Sequence, residues 1–269
     1  MSVRLTPRRN TGNSAQVIRI WALLFLLVGV AGRAIVENKI LGMASMSFSQ
    51  LNEALSSSGD AMIKATVGIV MKVVSACAVP LFVFLLVEGV SHTSSYQNYF
   101  LRVFGLAVVS EIPYDLAMHG KMFYWYEQNP VFGLVIAMFM LYLFKNYAGK
   151  SLKNVLVKVL VVVVATLWAR MLWIAEGVPI VLILTAFWFP RKKRNIQILV
   201  GAVVTCLCVI LPDGTSGTSI GSLKYLAAPM ACLFIHRYNG EPDETSKLFR
   251  YAAYPVMLVI CWLIGMFAF

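Results

Sequence analysis

Long apolar stretches recur from one end of this sequence to the other, and they constrain the fold more than any other feature. Hydrophobic residues make up 59% of the chain and charged residues only 13%, whereas a soluble domain is about 25% charged. A helix needs roughly 20 mainly apolar residues to cross about 30 Å of hydrocarbon, and runs of that kind occur throughout. The composition therefore predicts an all-α polytopic membrane protein without a sizeable soluble domain.

Hydropathy divides the chain into about nine transmembrane helices, with eight and ten as alternatives. The predicted spans are residues 17–36, 61–90, 99–117, 131–144, 152–169, 173–190, 196–212, 219–236 and 250–268. Segments 131–144 and 177–190 are short, so we expect them to be tilted, extended by their neighbours or re-entrant. Residues 1–16 form a basic N-terminal tail, and residues 17–269 form a single integral membrane domain. The polar insertion 37–60 contains enough apolar residues for a short interfacial helix.

The net charge of +11 follows the predicted topology. With the N-terminus in the cytoplasm, 16 of the 23 basic residues fall in cytoplasmic segments and six in external ones. This asymmetry is the positive-inside signature of membrane proteins, so the charge distribution indicates that the lipid bilayer is a partner of this chain. A nucleic-acid-binding protein would need a basic face on a folded module, and the sequence predicts no such module. We therefore expect a multi-pass membrane protein with a cytoplasmic N-terminus and no nucleic-acid ligand.

An acidic residue and a histidine stand four positions apart at the end of the second predicted span. Glu88 and His92 would share one face of a helix, within reach of each other. A carboxylate beside a neutral imidazole fixes its tautomer and stabilises the imidazolium, which makes this pair a candidate general base. The alternative is that both side chains lie at the level of the lipid headgroups, where charge is easily solvated, and have no chemical role.

Two carboxylates in the third predicted span repeat this spacing. Glu111 and Asp115 flank Pro113, whose missing N–H leaves a carbonyl free for those side chains or for a substrate. Ionisable groups inside a bilayer are costly unless they face a cavity or a partner. We therefore expect Glu88, His92 and Glu111 to point into one shared polar cavity.

Other polar residues are candidates for the lining of that cavity. Glu176 precedes Gly177 and Pro179, which favour a bend that presents its carboxylate either to the cavity or to a surface loop. Tyr238 and Asn239 begin a turn before an acidic loop, where capping is the alternative role. The five cysteines lie in apolar spans, so we expect small buried hydrophobes and no metal site.

The order of these features resembles one family, the TraX proteins of bacterial conjugation, known for acetylating the amino terminus of pilin. The resemblance is carried by PLFVFLLVEGVSHTSSYQNYFLRVFGLAVVSEIPYDLA (residues 80–117), IRIWALL (residues 18–24), Gln128-Asn129, and Tyr238-Asn239-Gly240 followed by YAAYPVMLVI. It implies an acyltransferase of the bacterial cytoplasmic membrane. Such an enzyme would transfer an acetyl or related acyl group from acetyl-CoA, or another acyl-CoA, to an amine or hydroxyl of a peptide or envelope acceptor.

The resemblance also implies catalytic and binding roles for individual residues. His92 would be the catalytic base, with Glu88 as its orienting partner and Glu111 as a further catalytic carboxylate. The remaining polar candidates would bind the substrate, namely Asp115, Lys72, Asn129, Glu176, Tyr238 and Asn239.

Three departures from the family pattern fall on reactive side chains. Gly29-Val30 stands where the family commonly carries Asp-His, Ser75-Ala76 where it carries Gly-Arg, and Met257 where it carries histidine. Amine acetylation needs a base for the ammonium proton and a donor for the thioester oxyanion, and these positions supply neither here. Two alternatives stay open. One is a TraX fold without chemistry that acts as a binding or assembly partner in a membrane complex; the other is a small-solute transporter or its substrate-binding subunit.

Overall fold

The computed structural model describes residues 12–41, 59–211 and 221–267, which fold into helices joined by turns. The helices are α1 (Ala15–Ala31, continued by a π-helix over Gly32–Ile40), α2 (Gly59–Ser75), α3 (Ala78–His92), α4 (Tyr96–His119), α5 (Val131–Asn146), α6 (Leu152–Met171), α7 (Gly177–Trp188), α8 (Arg194–Leu207), α9 (Ala231–His236) and α10 (Lys247–Phe267). Short 3₁₀ helices cover Cys208–Ile210, Gly221–Leu226 and Ala228–Met230. The predicted basic tail and the predicted interfacial helix lie largely outside the described residues.

Each of the nine predicted spans corresponds to one helical segment in the described parts of the chain. Four segments are long and apolar enough to cross a membrane: Ala15–Ile40, Gly59–His92, Leu152–Met171 and Lys247–Phe267. Four are shorter and apolar: Val131–Asn146, Gly177–Trp188, Arg194–Ile210 and Leu223–His236. The remaining segment is α4, a helix of 24 residues that carries Glu111 and Asp115. The fold is a helical membrane bundle, as the composition predicts.

The centre of the bundle is formed by α3 and α7. Helix α7, and α3 from Ala78 to Val87, are apolar on all sides, and a helix of that kind is buried by its neighbours rather than exposed on one face. Phe84 and Phe187 meet edge to face, with their ring centroids 6.0 Å apart. Helix α7 has 12 residues and is therefore roughly 18 Å long. It is therefore shorter than the hydrocarbon core is thick, and its N-terminal end adjoins a cavity.

A tight turn at Ala76 and Cys77 divides the predicted span 61–90 into α2 and α3. Pro80 has no backbone N–H, so the carbonyl of Ala76 receives no helical hydrogen bond from it. The N–H groups of Ala76 and Cys77 donate to carbonyls three residues earlier, at 3.3 Å each, as in a 3₁₀ turn. The sequence predicts one continuous helix here, and the proline explains the interruption.

Contacts between distant segments define one end of the bundle, which we call the basic end. It comprises the segments around residues 88–95, 145–151, 189–194 and 237–250. The N–H of Asn13 donates to the carbonyl of Arg237 at 2.7 Å, and Lys145 Nζ donates to the carbonyl of Val90 at 3.0 Å.

The other end of the bundle, called the opposite end, comprises the segments around residues 119–130, 172–176 and 221–226. Gly120 ends α4 there with a φ of 66°, a left-handed conformation that glycine adopts without strain. The N–H of Gln128 donates to the carbonyl of Trp173 at 2.9 Å and joins the α4–α5 loop to the turn before α7. The helices therefore run alternately between two ends with different chemistry.

Candidate functional site

A cavity of about 800 Å³ runs along α3 and the adjoining turn, from Ser75 to His92. Helices α1, α4 and α10 wall it at the basic end, and α5 and α7 wall it at the opposite end. At about 1.5 Å per residue, its path along α3 is roughly 25 Å long. This length approaches the thickness of the hydrocarbon core, so the cavity reaches from one end of the bundle almost to the other.

Cations dominate the lining of the cavity at the basic end. They are Arg19, Arg102, Lys247 and Arg250, against the carboxylates Glu88 and Asp243. The guanidinium carbon of Arg102 lies 6.0 Å from the centre of the Tyr251 ring. Arg250 Nε is buried and has no hydrogen-bond partner among the described residues. This end of the cavity is therefore positively charged and rich in N–H donors.

An ion pair between Arg19 and Asp243 fixes the rim of the cavity. Burial raises the pKa of Asp243, but hydrogen bonds from Thr245 and the charge of Arg19 outweigh burial and hold that pKa below its usual range. The N–H of Thr245 donates to Asp243 at 3.0 Å. Asp243 is therefore ionised, and it ties the loop before α10 to the start of α1.

Glu88 and His92 both line the cavity, as the four-residue spacing predicts. His92 Nδ1 lies 2.9 Å from the carbonyl oxygen of Glu88 and 4.0 Å from its carboxylate. A hydrogen bond to that carbonyl places the proton on Nδ1, which leaves Nε2 as the basic nitrogen of the neutral ring. The His92 side chain is 76% exposed and that of Glu88 is 18% exposed, so the imidazole stands in the mouth of the cavity rather than in its interior.

Arg194 is the cation nearest to Glu88 in the described structure, with Nη2 3.8 Å from the carboxylate. Its guanidinium carbon also lies 5.0 Å from the ring centres of both Phe84 and Tyr238. Tyr238 lines the cavity. Asn239 does not; its side-chain oxygen accepts from the N–H of Glu241 at 3.0 Å, which is the capping role.

A second ionic pair lines the cavity at the opposite end. Lys224 Nζ donates to the carboxylate of Glu176, and both side chains line the cavity. Glu176 has a φ of 57° and a ψ of 11°, a left-handed conformation that is unusual for a residue other than glycine. The bend expected before α7 therefore presents Glu176 to the cavity.

Glu111, which we expect to share the cavity with Glu88, does not line it. Asn129 is fully buried and accounts for the position of Glu111: its N–H donates to the Glu111 carboxylate at 3.2 Å, and its Nδ2 also donates to that carboxylate. Asn129 Oδ1 accepts from the N–H of Val131 and caps α5 at 2.9 Å. These contacts fasten the α4–α5 loop and turn Glu111 away from the cavity.

Asp115 and Lys72 also lie outside the lining of the cavity. Asp115 is 2% exposed, and its carboxylate accepts from the N–H of Tyr124 at 2.8 Å. Like Asn129, it holds the loop at the opposite end.

The sequence does not single out a buried polar cluster at the opposite end. Glu127 accepts two hydrogen bonds from Arg33, at 3.0 and 3.2 Å, and one from Tyr114 at 2.5 Å. Burial raises the pKa of Glu127, but the charge of Arg33 and the hydrogen bond from Tyr114 outweigh burial and hold that pKa below its usual range. His119 Nε2 lies 3.8 Å from the same carboxylate, and its ring lines a separate cavity of about 330 Å³. In the sequence, Arg33 and Glu127 are single ionisable residues in or beside apolar segments, and nothing in the sequence indicates that they form a pair.

Comparison with known proteins agrees with the family that the motif order indicates. A family model described as TraX protein matches residues 15–265, nearly the whole chain. The chain belongs to the TraX family. No curated protein and no solved structure matches it. Among the described residues there is also no group of three or more histidine, cysteine, aspartate or glutamate side chains suited to a metal ion.

The residues of this TraX-family chain that differ from those implied by the resemblance lie in packed surroundings. Val30 and Ala76 are 3% and 4% exposed, and Met257 packs against the core. Gly29 lies directly against Ser75, and both Ser75 and Ala76 line the cavity at the end of its path along α3 that is farthest from His92. The middle of the cavity is mostly apolar, and its ionisable groups lie towards its two ends.

Proposed function

We propose that this TraX-family chain is a membrane acyltransferase that takes an acyl-CoA donor from the basic end of the cavity. The cationic lining of that end carries the proposal, because CoA bears phosphate groups and arginine binds phosphate through paired N–H donors. The acyl-bearing arm would extend from there along the apolar wall formed by α3. The acceptor is an amine or a hydroxyl of a peptide or envelope molecule.

The basic end is then the cytoplasmic side of a bacterial cell membrane. The excess of basic residues in the segments of that end supports this orientation by the positive-inside rule. It also supports a cytoplasmic N-terminus, because Asn13 lies at the same end. An acyl-CoA donor made in the cytoplasm would then enter the cavity directly from that side.

Replacing Arg102 and Arg250 together by glutamine is expected to weaken acetyl-CoA binding at least tenfold. Hydrogen bonds to charged groups contribute about 1.5–3 kcal/mol each, and about 1.4 kcal/mol is tenfold in affinity. Equilibrium binding of acetyl-CoA to the purified protein measures the effect. Lys153→Gln is the matched control, since Lys153 is exposed at the basic end and outside the cavity. An equal loss in both variants, or no binding by the unaltered protein, contradicts the proposal.

Replacing His92 by alanine is expected to raise the KM for acetyl-CoA more than it lowers kcat. The reason is its exposed position among the cations that would bind phosphate. The sequence-based hypothesis that His92 is the general base makes the opposite prediction, a loss of turnover on the order of 10²–10⁴ at saturating donor. Steady-state kinetics that separate kcat from KM distinguish these two roles. His92→Gln keeps a hydrogen-bond donor, so it should restore acetyl-CoA binding if His92 binds phosphate. It should not restore turnover if His92 is the general base.

The second candidate function is a binding or assembly partner in a membrane complex. The apolar packing of Val30, Ala76 and Met257 favours it, because none of these side chains can take a proton or stabilise an oxyanion. A purified protein that neither binds acetyl-CoA nor transfers acetyl groups to peptide amines would establish this alternative.

A further inference from the structure

The end of the cavity farthest from the proposed donor mouth contains a carboxylate with an ammonium group seated on it. Glu176 accepts from Lys224 Nζ, and the two side chains are 24% and 8% exposed. Both belong to the lining of the large cavity rather than to the outer surface of the bundle. The position of Nζ thus marks a place where this carboxylate accommodates a primary ammonium.

The backbone at Glu176 is strained, and the contacts around it keep it in that conformation. Glu176 adopts the left-handed conformation, although a side chain disfavours it. The turn is held from both sides: the N–H of Ala175 donates to the carbonyl of Gln128 at 2.9 Å, and the N–H of Gly177 donates to the carbonyl of Ile174 at 3.0 Å. Strain of this kind persists where the surroundings enforce it, and it concentrates at functional sites.

The surroundings of Glu176 favour a charged partner over a neutral one. Pro130, Val131, Leu134 and Ile180 line the cavity near this end. In such apolar surroundings a carboxylate gains far more from an ammonium than from a hydroxyl, because charge–charge attraction is weakly screened. A cation beside this half-buried carboxylate offsets the part of its hydration that the cavity wall removes.

Lys224 and Glu176 belong to different parts of the fold. Lys224 lies on the 3₁₀ helix Gly221–Leu226, whereas Glu176 directly precedes α7. An incoming ammonium that takes the place of Nζ therefore displaces only the Lys224 side chain and leaves the turn that carries Glu176 unchanged.

We propose that Glu176 binds the ammonium group of a primary amine ligand, in the place that Lys224 Nζ holds in this structure. That this amine is the acyl acceptor, reaching the cavity from the end opposite to the donor, rests on the proposed function. The binding of the ammonium itself does not. His92 lies at the other end of the cavity, so the two groups do not act on the same amine.

The test is chemical rescue of Lys224→Ala by propylamine, which replaces the deleted atoms from Cγ to Nζ. Thermal unfolding of the purified protein is measured without any acyl donor. Lys224→Ala is expected to unfold at a lower temperature than the unaltered protein, and propylamine is expected to restore more than half of the difference in a concentration-dependent manner. Propan-1-ol has the same shape without the charge and should restore nothing.

The double variant Glu176→Gln with Lys224→Ala is the matched control and should not respond to propylamine. If propylamine leaves folded Lys224→Ala unchanged, or stabilises the double variant equally, the site is overturned and the pair is a closed internal contact. Should Lys224→Ala not fold, Lys224→Met with ammonium ion provides the same comparison, because methionine keeps most of the side-chain volume and lacks only the atom that corresponds to Nζ.

A second measurement separates this site from the proposed function. In an acetyl-transfer assay with the tripeptide Gly-Gly-Gly as acceptor, Glu176→Gln is expected to raise the acceptor KM at least tenfold while the Kd for acetyl-CoA stays unchanged. Transfer with an unaltered acceptor KM would overturn Glu176 as the acceptor site and leave the acyltransferase intact. Rescue by propylamine in a protein that transfers no acetyl group would support the site and overturn the proposed function.

Discussion

Replacing Glu127 by alanine is expected to destabilise the protein by about 3 kcal/mol, the lower end of the cost of breaking a buried ion pair. The Glu127 side chain is 7% exposed and accepts from both terminal nitrogens of Arg33 and from the hydroxyl of Tyr114. Its removal leaves a guanidinium and a buried phenol without their acceptor. The lower end of the range applies because Arg33 is 34% exposed and water replaces part of the lost contact.

Thermal unfolding in detergent measures this effect. Glu127→Gln should fall between the unaltered protein and Glu127→Ala, since an amide still accepts from Tyr114 but carries no charge for Arg33. Glu244→Ala is the control, because Glu244 is an exposed carboxylate, for which substitutions usually stay within about 0.5 kcal/mol. Equal stabilities of Glu127→Ala and Glu244→Ala would show that the cluster does not hold the opposite end together.

Replacing Gly29 by alanine is expected to cost about 1–3 kcal/mol, as overpacking of a close contact does. A Cβ at residue 29 would lie 2.4 Å from the Cβ of Ser75 and 2.6 Å from its Oγ. Rotation of the Ser75 side chain cannot relieve the first of these contacts, so α1 and α2 would have to separate. Ser75→Gly removes the obstructing atoms, and the double variant is expected to regain most of the lost stability.

Gly105→Ala is the control for this experiment, because a Cβ at residue 105 would meet no atom within 4 Å. It should be neutral or slightly stabilising, since alanine favours helix more than glycine does. A double variant no more stable than Gly29→Ala would contradict the steric explanation. Thermal unfolding of all four proteins under one condition provides the comparison.

The contact between Gly29 and Ser75 also relates two positions at which this chain differs from what the TraX resemblance implies. The resemblance implies aspartate at the first position and glycine at the second, whereas this chain has glycine first and serine second. Because a Cβ at residue 29 would meet the Ser75 side chain, a variant with Asp-His at Gly29 and Val30 requires Ser75→Gly as well.

Features that depend on a single segment could be read from the sequence. The length of each apolar run sets the length of each helix, so the segments of the bundle follow from hydropathy. The four-residue spacing of Glu88 and His92 places both on one face of α3, and both line the cavity. The motif order around residues 80–117 was enough to indicate the family that the match over residues 15–265 establishes.

Features that depend on a contact between two segments could not be predicted from the sequence and are visible only in the folded structure. Glu127 meets Arg33 across 94 residues, and Glu176 meets Lys224 across 48. Glu111 has the same spacing to Asp115 as Glu88 has to His92, yet Asn129 holds it away from the cavity. Periodicity says which residues share a face of a helix but not towards which neighbour that face is turned, because one residue more or less rotates a helix by about 100°. Packing of large and small side chains between helices sets that rotation, and with it which charges meet.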